Sequence, residues 1–592
     1  MSNSIGIQGF QGMTYSRQSS EFQKKDYDYF NQQYASSSHQ KDHDMNPKHI
    51  VQPKDDDDVI AAVNWARDHK VAVAVKSGGH QYSGASSTGG ENIQIDLTNT
   101  YKDMMVLENV KVPSDRAMVR VGVSNQLQDF NAYLKDNGLF VPHGQCAYVC
   151  VGGHLQTGGF GQLARSFGLF GDHVRKIHMI DYAGKQQEVT KESDPELFYA
   201  ITGGSPGNFG INTHYDVEVY RADHYDGTVA GFNGVKGPHG WKGLFLYNKK
   251  VLADLLQILA NMSDNAKMPR NYDLCLSVLS THFPVTKLFP DLQNGSLWQN
   301  IQKQIKSALA DDVLDLLNGK FPAIIVIYAQ WCPITKEDKY DAEVDAWFEQ
   351  FRKLQSQIEG LFAQEFNNKG DKPDDKVDMA KMTGQWIFPE KREFDLPYEK
   401  RTWVTNATNL ATSGWVQDVV DRLELIYNPQ QKLGDGKSQR EQEVYDHCKL
   451  SVQIQAYGGD NSQFRNNRNN GTSYSWRDTT MVQVLDCFYH DRDDDGRETD
   501  RYKKYAAEWQ LQNDAKMVGP KSNFSKTERR VLWGSYGDWD LSKPEIWKTY
   551  YEDEAKYKRL GEVRGRADPN GTFTANPFAV KAIRASQPSS HL

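Results

Sequence analysis

No stretch of this 592-residue sequence supplies the ~18 consecutive apolar side chains that a membrane-spanning helix needs, so no membrane partner is expected. A basic excess is missing too. Lys and Arg number 69 against 77 Asp and Glu, a net charge of −8, and the basic residues are scattered, which argues against nucleic acid as a partner. The nearest approach to a basic loop, Phe464 to Asn470, reads as a solvated turn. Six cysteines in so long a chain make no disulfide framework. Cys275, Cys332, Cys448 and Cys487 stand apart without metal-ligand spacing, so they are expected as core thiols and no metal is expected. The opening MSNSIGIQGFQGMTYSRQ lacks the basic start and apolar run of a secretory signal, which makes a cytoplasmic location the default. Asn-x-Ser/Thr triplets at Asn294, Asn470 and Asn570 would then matter only in an exported chain. Finally, no G-x-G-x-x-G opens a helix after a strand with an acidic residue ~20 positions on, so a nicotinamide site is poorly supported.

Glycine, by contrast, is concentrated. Gly144 to Gly168, GQCAYVCVGGHLQTGGFGQLARSFG, holds seven glycines, two cysteines and a histidine. Residues without a Cβ let backbone approach a ligand closely, which suits a flat or phosphorylated molecule. Upstream, VAVAVKSGGHQYSG reads as a buried β-branched strand, Val71 to Val75, ending in a Gly-Gly turn with His80 at its tip. A third glycine-rich run, ITGGSPGNFGINTHYDVEV, spans Ile201 to Val219.

The length calls for two or more domains. Residues 1–41 are polar and without sustained period, which predicts an arm partly disordered or laid over the surface. From His49 a short strand, a helix with Val59, Ile60, Val63 and Ala66 at helical spacing, and the Val71–Val75 strand make a β-α-β start. Strands are expected at Ile93–Leu97 and Met118–Val123, and a helix at Asn125–Asn137 closed by Gly138. Beyond Asp223 longer helical patterns, Ser307–Leu317 and Asp341–Ile358, alternate with strands such as Ala323–Ala329 and Leu450–Ala456, which suggests an α+β unit. Asp491 to Arg501 reads as a charged surface loop.

These three glycine-rich segments, in order and spacing, resemble the flavin-binding segments of the berberine bridge enzyme-like FAD-linked oxidases of the vanillyl-alcohol oxidase superfamily, over roughly Asn46 to Ala222. RLGEVRGRADPNGTF, Arg559 to Phe573, resembles the family's C-terminal segment. The resemblance implies an α+β fold: a PCMH-type FAD-binding domain of two α/β lobes at 42–223, a central substrate domain at 224–530 with an antiparallel sheet covered by helices, and a segment 531–592 returning to the first domain. It implies FAD as cofactor, bonded covalently through His80 to the 8α-methyl and through Cys146 to C6. Lys76, Ser77, Gly78, Gly79 and Gln81 flank the first link; Gly152, Gly153, His154, Gly158, Gly159 and Gly161 follow the second; Gly207, Asn208, Gly210 and Ile211 lie along the cofactor. Cys150 is assigned no bond to it, and His154 is expected near the ribityl chain. Family members are frequently secreted, which this opening does not suggest.

Oxidising an alcohol also needs a base for the hydroxyl proton. In the family's carbohydrate oxidases, closest in style to this chain, a tyrosine helped by an aspartate does this; LWGSYGDWDL places Tyr536 in the base position, with Trp533 in the first aromatic position. The facing strand LSVQIQAYGG offers Gln453 and Gln455 on one side, with Gln455 where the aspartate would stand. Plant oxidases of the family use a glutamate beyond the Gly-Gly, where this chain has Gln463. Both positions are amides, able to hydrogen-bond a hydroxylated substrate but not to take a proton. The expected activity is oxidation of an alcohol carbon on a sugar or other polyhydroxylated small molecule, with O2 reduced to hydrogen peroxide. The alternatives are a secondary-metabolite tailoring oxidase and a flavin-binding protein without turnover.

Overall fold

A computed structural model describes residues 5–16, 46–81, 84–227, 229–279, 323–357, 362–369, 377–387, 396–427, 447–493, 495–532 and 540–584. Three sheets organise them. The first orders β1 (Met13–Ser16), β2 (His49–Gln52), β4 (Ile93–Asp96) and β3 (Val73–Lys76), with β2, β4 and β3 parallel and β1 antiparallel at the edge. The parallel pairing needs a crossover, supplied by helix α1 (Asp56–Asp68). Asp55 caps that helix by accepting the Asp58 N–H, and Val59, Ala62, Val63 and Ala66 form its buried stripe.

The second sheet runs β5 (Met104–Val106), β6 (Arg116–Gly122), β10 (Ile211–Arg221), β8 (Val174–Ile180), β9 (Gln186–Val189), with β7 (Leu139–Phe140) also on β10, all antiparallel. Helix α2 (Leu127–Asp136) packs Leu127, Phe130 and Leu134 inward. One apolar core joins both sheets to the C-terminal residues Leu541, Trp547, Leu560, Val563 and Phe573. The C-terminal helix α3 (Glu554–Ala567) is pinned by the buried Arg564–Asp568 pair, and the turn after it pairs main chain with the first sheet, Val73 N–H to Thr572 O at 2.7 Å.

A seven-stranded antiparallel sheet forms the rest: β14 (Phe362–Lys369), β11 (Val235–Leu246), β13 (Ile324–Trp331), β12 (Tyr272–Leu279), β16 (Cys448–Ala456), β17 (Met481–Tyr489), β15 (Tyr398–Thr405). A core of Leu252, Leu256, Phe348, Trp415, Leu423 and Trp509 covers one face, drawn from the helices Lys249–Asp264, Ala342–Gln357, Trp415–Tyr427 and Arg501–Met517. Parts of the opposite face look onto the glycine-rich segments. No described helix is long and apolar enough to cross a membrane.

Two expectations need correcting. The polar N-terminus is not wholly an arm: Ile7 and Phe10 are buried, Gln11 N–H reaches Asp58 Oδ1 at 2.6 Å, and β1 extends the first sheet. A four-residue edge strand with a single fully buried side chain, Tyr15, carries too little pattern to be read from sequence. The strand expected at Val71–Val75 begins two residues later, because Val71 closes the turn after α1 through a bond to the Ala66 carbonyl. The helix expected at Ser307–Leu317 lies outside the described residues.

Candidate active site: a glycine-walled cleft under a polar sheet face

Between the first two sheets and the seven-stranded sheet runs a cleft enclosing about 1540 Å³ of empty space, its mouth included. The loop after β3 gives Ser77, Gly78, Gly79, His80 and Gln81 to its wall. That loop is anchored at its root, where the Lys76 ammonium meets Asp96 at 3.3 Å and the Ser77 carbonyl accepts the Thr98 hydroxyl at 2.9 Å. The facing wall is Gly144, Gln145, Cys146, Val149, Cys150, Gly152, Gly153, His154, Gly159 and Gly161, running into the short helix Val151–Gln156. Gly207 and Gly210 close the third side, tied in by the bond from Gly207 N–H to Gln156 Oε1 at 3.0 Å. His80 and Cys146, 66 residues apart in the chain, thus open onto one cleft.

Burial sets the chemistry of three wall residues. His154 is half-buried on the cleft wall, and its ring is pushed down to about 3 by burial, reinforced by His143. It is therefore neutral, and its Nε2 accepts the Gly144 N–H at 2.9 Å, fixing the segment that carries Cys146. Burial raises the Cys150 thiol to about 12, leaving it an inert neutral group against Gly78. A Cβ on Gly78 would sit 2.8 Å from Cys150 Sγ, so glycine is required for the loop to pass there.

The residues fit a flavin. A Cβ on Gly153 would meet no protein atom within 4 Å, so its absence leaves cleft space open for a ligand. Asn212 presents a buried Oδ1 with no partner among the described residues. The His80 imidazole and the Cys146 thiol on the walls are nucleophiles of the kind that can bond a flavin ring.

The remaining predicted residues divide. Lys76 is buried in its pair with Asp96 and does not line the cleft, and neither do Gly158, Asn208 or Ile211. Asn208 instead donates to the Phe573 carbonyl at 2.6 Å, joining the third glycine-rich run to the C-terminal turn. Gln453 lines the cleft; Gln455 does not. The Gln455 amide donates to the Gly161 carbonyl at 2.6 Å and accepts from Tyr457 at 3.2 Å, so it ties the sheet to the cleft wall. Gln463 also stands away from the cleft. Gly459, at φ 95°, turns the chain into the helix Gln463–Asn466, where Gln463 accepts from Arg270 and donates to Asn467. Trp533 and Tyr536 lie outside the described residues.

The sheet brings in residues that the sequence reading missed. Lys400, Asp486 and Ser451 are register partners in a row across β15, β17 and β16, and all three line the cleft beside Gln453 and Val484. Lys400 Nζ meets Asp486 Oδ2 at 2.7 Å, with the two side chains 7% and 2% exposed. Asp486 is the one carboxylate among the described cleft-lining residues. An acid in the otherwise uncharged run MVQVLDCFY was the available signal, since an aspartate in a buried strand is there with a partner.

Comparison with known proteins decides the ligand: an FAD-binding domain model matches residues 47–190, which hold His80, Cys146 and His154. Residues 47–190 form an FAD-binding domain. Over 233 residues the chain is 28% identical to an FAD-linked oxidoreductase of Dictyostelium discoideum, covering 39% of this chain and 46% of that protein. The chain spans less than half the length of the curated relatives it matches. The whole fold, FAD-binding domain and seven-stranded sheet together, is shared with a berberine bridge enzyme variant described as a reticuline dehydrogenase, at TM-score 0.64 and 14% identity over 98% of both chains. It is shared also with the glucooligosaccharide oxidase of Acremonium strictum, described with a 6-S-cysteinyl, 8α-N1-histidyl FAD, at TM-score 0.59 and 16% identity over 97% of this chain and 98% of that one.

Proposed function

We propose that the chain is an FAD-dependent oxidase that bonds its flavin through His80 and Cys146 and oxidises an alcohol carbon of a sugar or other polyhydroxylated small molecule. Molecular oxygen takes the two electrons and two protons and leaves as hydrogen peroxide. The observation that carries this reading is the meeting of His80 and Cys146 in one cleft whose described lining holds a single carboxylate, Asp486. The glucooligosaccharide oxidase that shares the fold is described with the same pair of links.

Bound there, the flavin supplies a two-electron acceptor, and the protein supplies position and proton transfer. Asp486 Oδ accepts the substrate hydroxyl proton as the carbon gives up its hydride, which is the role of a general base. Lys400 holds that carboxylate in place across 2.7 Å. Gln453 and Ser451, each able to donate and accept, meet the remaining hydroxyls of a sugar. Tyr536 is the second group proposed for the hydroxyl proton, and Trp533 for substrate contact. The proposed partners are the small-molecule substrate and O2, with no nucleic acid and no membrane, and the proposed location by default is the cytoplasm.

A peroxide assay across mono- and oligosaccharides, aromatic alcohols and alkaloid-like amines tests the substrate class, with anaerobic bleaching of the flavin as the direct readout. Peroxide formed with sugars, and weakly or not with the others, is expected. Bleaching by amines or aromatic alcohols alone assigns a tailoring oxidase, and no bleaching by any of them contradicts turnover.

A further inference from the structure

A second cleft opens where three parts of the chain meet: residues 191–199 around the helix Pro195–Ile201, the turn Arg468–Asp478, and the start of α3 at 552–559. It encloses about 1790 Å³ of empty space, mouth included. Its walls carry six cations, Lys191, Arg468, Arg477, Arg530, Lys556 and Arg559, against the three carboxylates of Asp478, Glu552 and Asp553. In a protein of net charge −8 this is a local reversal, and a concave wall of one sign focuses field for the opposite ion.

Four of these cations are matched. Arg477 grips buried Asp172 with both terminal nitrogens, Arg530 meets Asp478 at 3.0 Å, Lys556 meets Glu552 at 2.5 Å and Arg559 meets Glu196 at 2.6 Å. Lys191 and Arg468 have no carboxylate within ion-pair distance among the described residues. Lys191 instead donates to the Asn470 carbonyl, two residues beyond Arg468, so its charge sits against the turn that carries Arg468. Burial, with Arg175 nearby, lowers the Lys191 ammonium; burial also lowers Lys556. At the back, Arg477 is 4% exposed and its Nε–H is buried without a partner among the described residues. Beside it Trp476 is held at φ 57°, its N–H bonded to Glu552 at 2.7 Å and its indole N–H to the Thr549 carbonyl at 2.9 Å. A bulky residue in the left-handed region is strained, and such strain gathers at ligand sites.

We propose that this cleft is a second binding site, separate from the flavin cleft, for a small molecule bearing a tetrahedral oxyanion, a phosphate or a sulfate ester, gripped by Lys191 and Arg468. The proposal is independent of the reaction assigned to the first cleft. The test is calorimetric titration of the flavin-loaded full-length protein with pyrophosphate, inorganic phosphate and sulfate at fixed ionic strength. One saturable equivalent is expected, weakened at least tenfold by Lys191→Gln and by Arg468→Gln and unchanged by Arg497→Gln, an exposed arginine outside the cleft. Arg468 is exposed, so its replacement leaves the fold intact. Tighter binding of the phosphates supports a phosphorylated ligand, and tighter binding of sulfate a sulfated one. No saturable binding of any of the three, or equal binding in both cleft variants and the parent, overturns the site.

Discussion

The side-chain amide of Gln455 and the carbonyl of Gly161, 294 residues apart in the chain, are joined by a 2.6 Å hydrogen bond between the seven-stranded sheet and the flavin cleft wall. The same amide oxygen accepts the buried Tyr457 hydroxyl. Gln455 is thus a strut between the two halves of the site, and its polar atoms are committed to protein partners.

Gln455→Leu removes the donor and strands the Tyr457 hydroxyl in the core. Leaving one buried polar group unmet costs about 1–3 kcal/mol. Denaturant unfolding is expected to show that loss, with flavin reduction slowed less than tenfold. A larger kinetic loss at full stability would give Gln455 a direct role in the chemistry.

Asp486→Asn keeps shape and removes the basic oxygen. If Asp486 takes the hydroxyl proton, the anaerobic reduction rate falls by roughly 10²-fold or more, the usual yield of a general base. Tyr536→Phe is the paired experiment: the variant that loses rate, with flavin still attached, identifies the base. Lys400→Met should instead destabilise the fold, because it strands a carboxylate in a pair whose side chains are 7% and 2% exposed. Breaking such a pair costs about 3–5 kcal/mol, measurable as a drop in unfolding free energy.

His154 gives the site a pH dependence of stability. Its ring is held near 3 by burial and by His143, while an unfolded histidine titrates near 6.5. Below pH 6.5 the unfolded chain therefore binds a proton that the native state refuses, so this stability is complete above pH 6.5 and falls as pH drops toward 3. Between pH 7.5 and 5 the loss from this residue is about 2 kcal/mol. His154→Gln can still accept the Gly144 N–H and carries no titrating ring, so its unfolding free energy should fall less over that interval. An unchanged slope would show that His154 does not titrate in this way.

The glycine-rich walls were legible because each is contiguous: a strand, a Gly-Gly turn and a histidine, or a cysteine followed by Gly152 and Gly153, carry their meaning in consecutive residues. The proposed base, Asp486, was not legible in the same way. Lys400, Ser451 and Asp486 meet only through the register of three strands, and that register follows from packing over the whole sheet. Period-two alternation placed Gln453 and Gln455 on one side correctly, but could not tell the one that opens on the cleft from the one bonded to Gly161. Gln463 was misplaced because a count of residues past Gly459 assumes an extended chain where the structure turns into a helix.

The central claim is that His80 and Cys146 both hold the flavin, and the intact mass of the acid-denatured polypeptide tests it most directly. The account predicts the chain mass plus one FAD for the parent protein, the same addition retained in either His80→Ala or Cys146→Ala, and the bare variant chain when both are replaced. A bare parent chain with all of the flavin in the acid supernatant would contradict it.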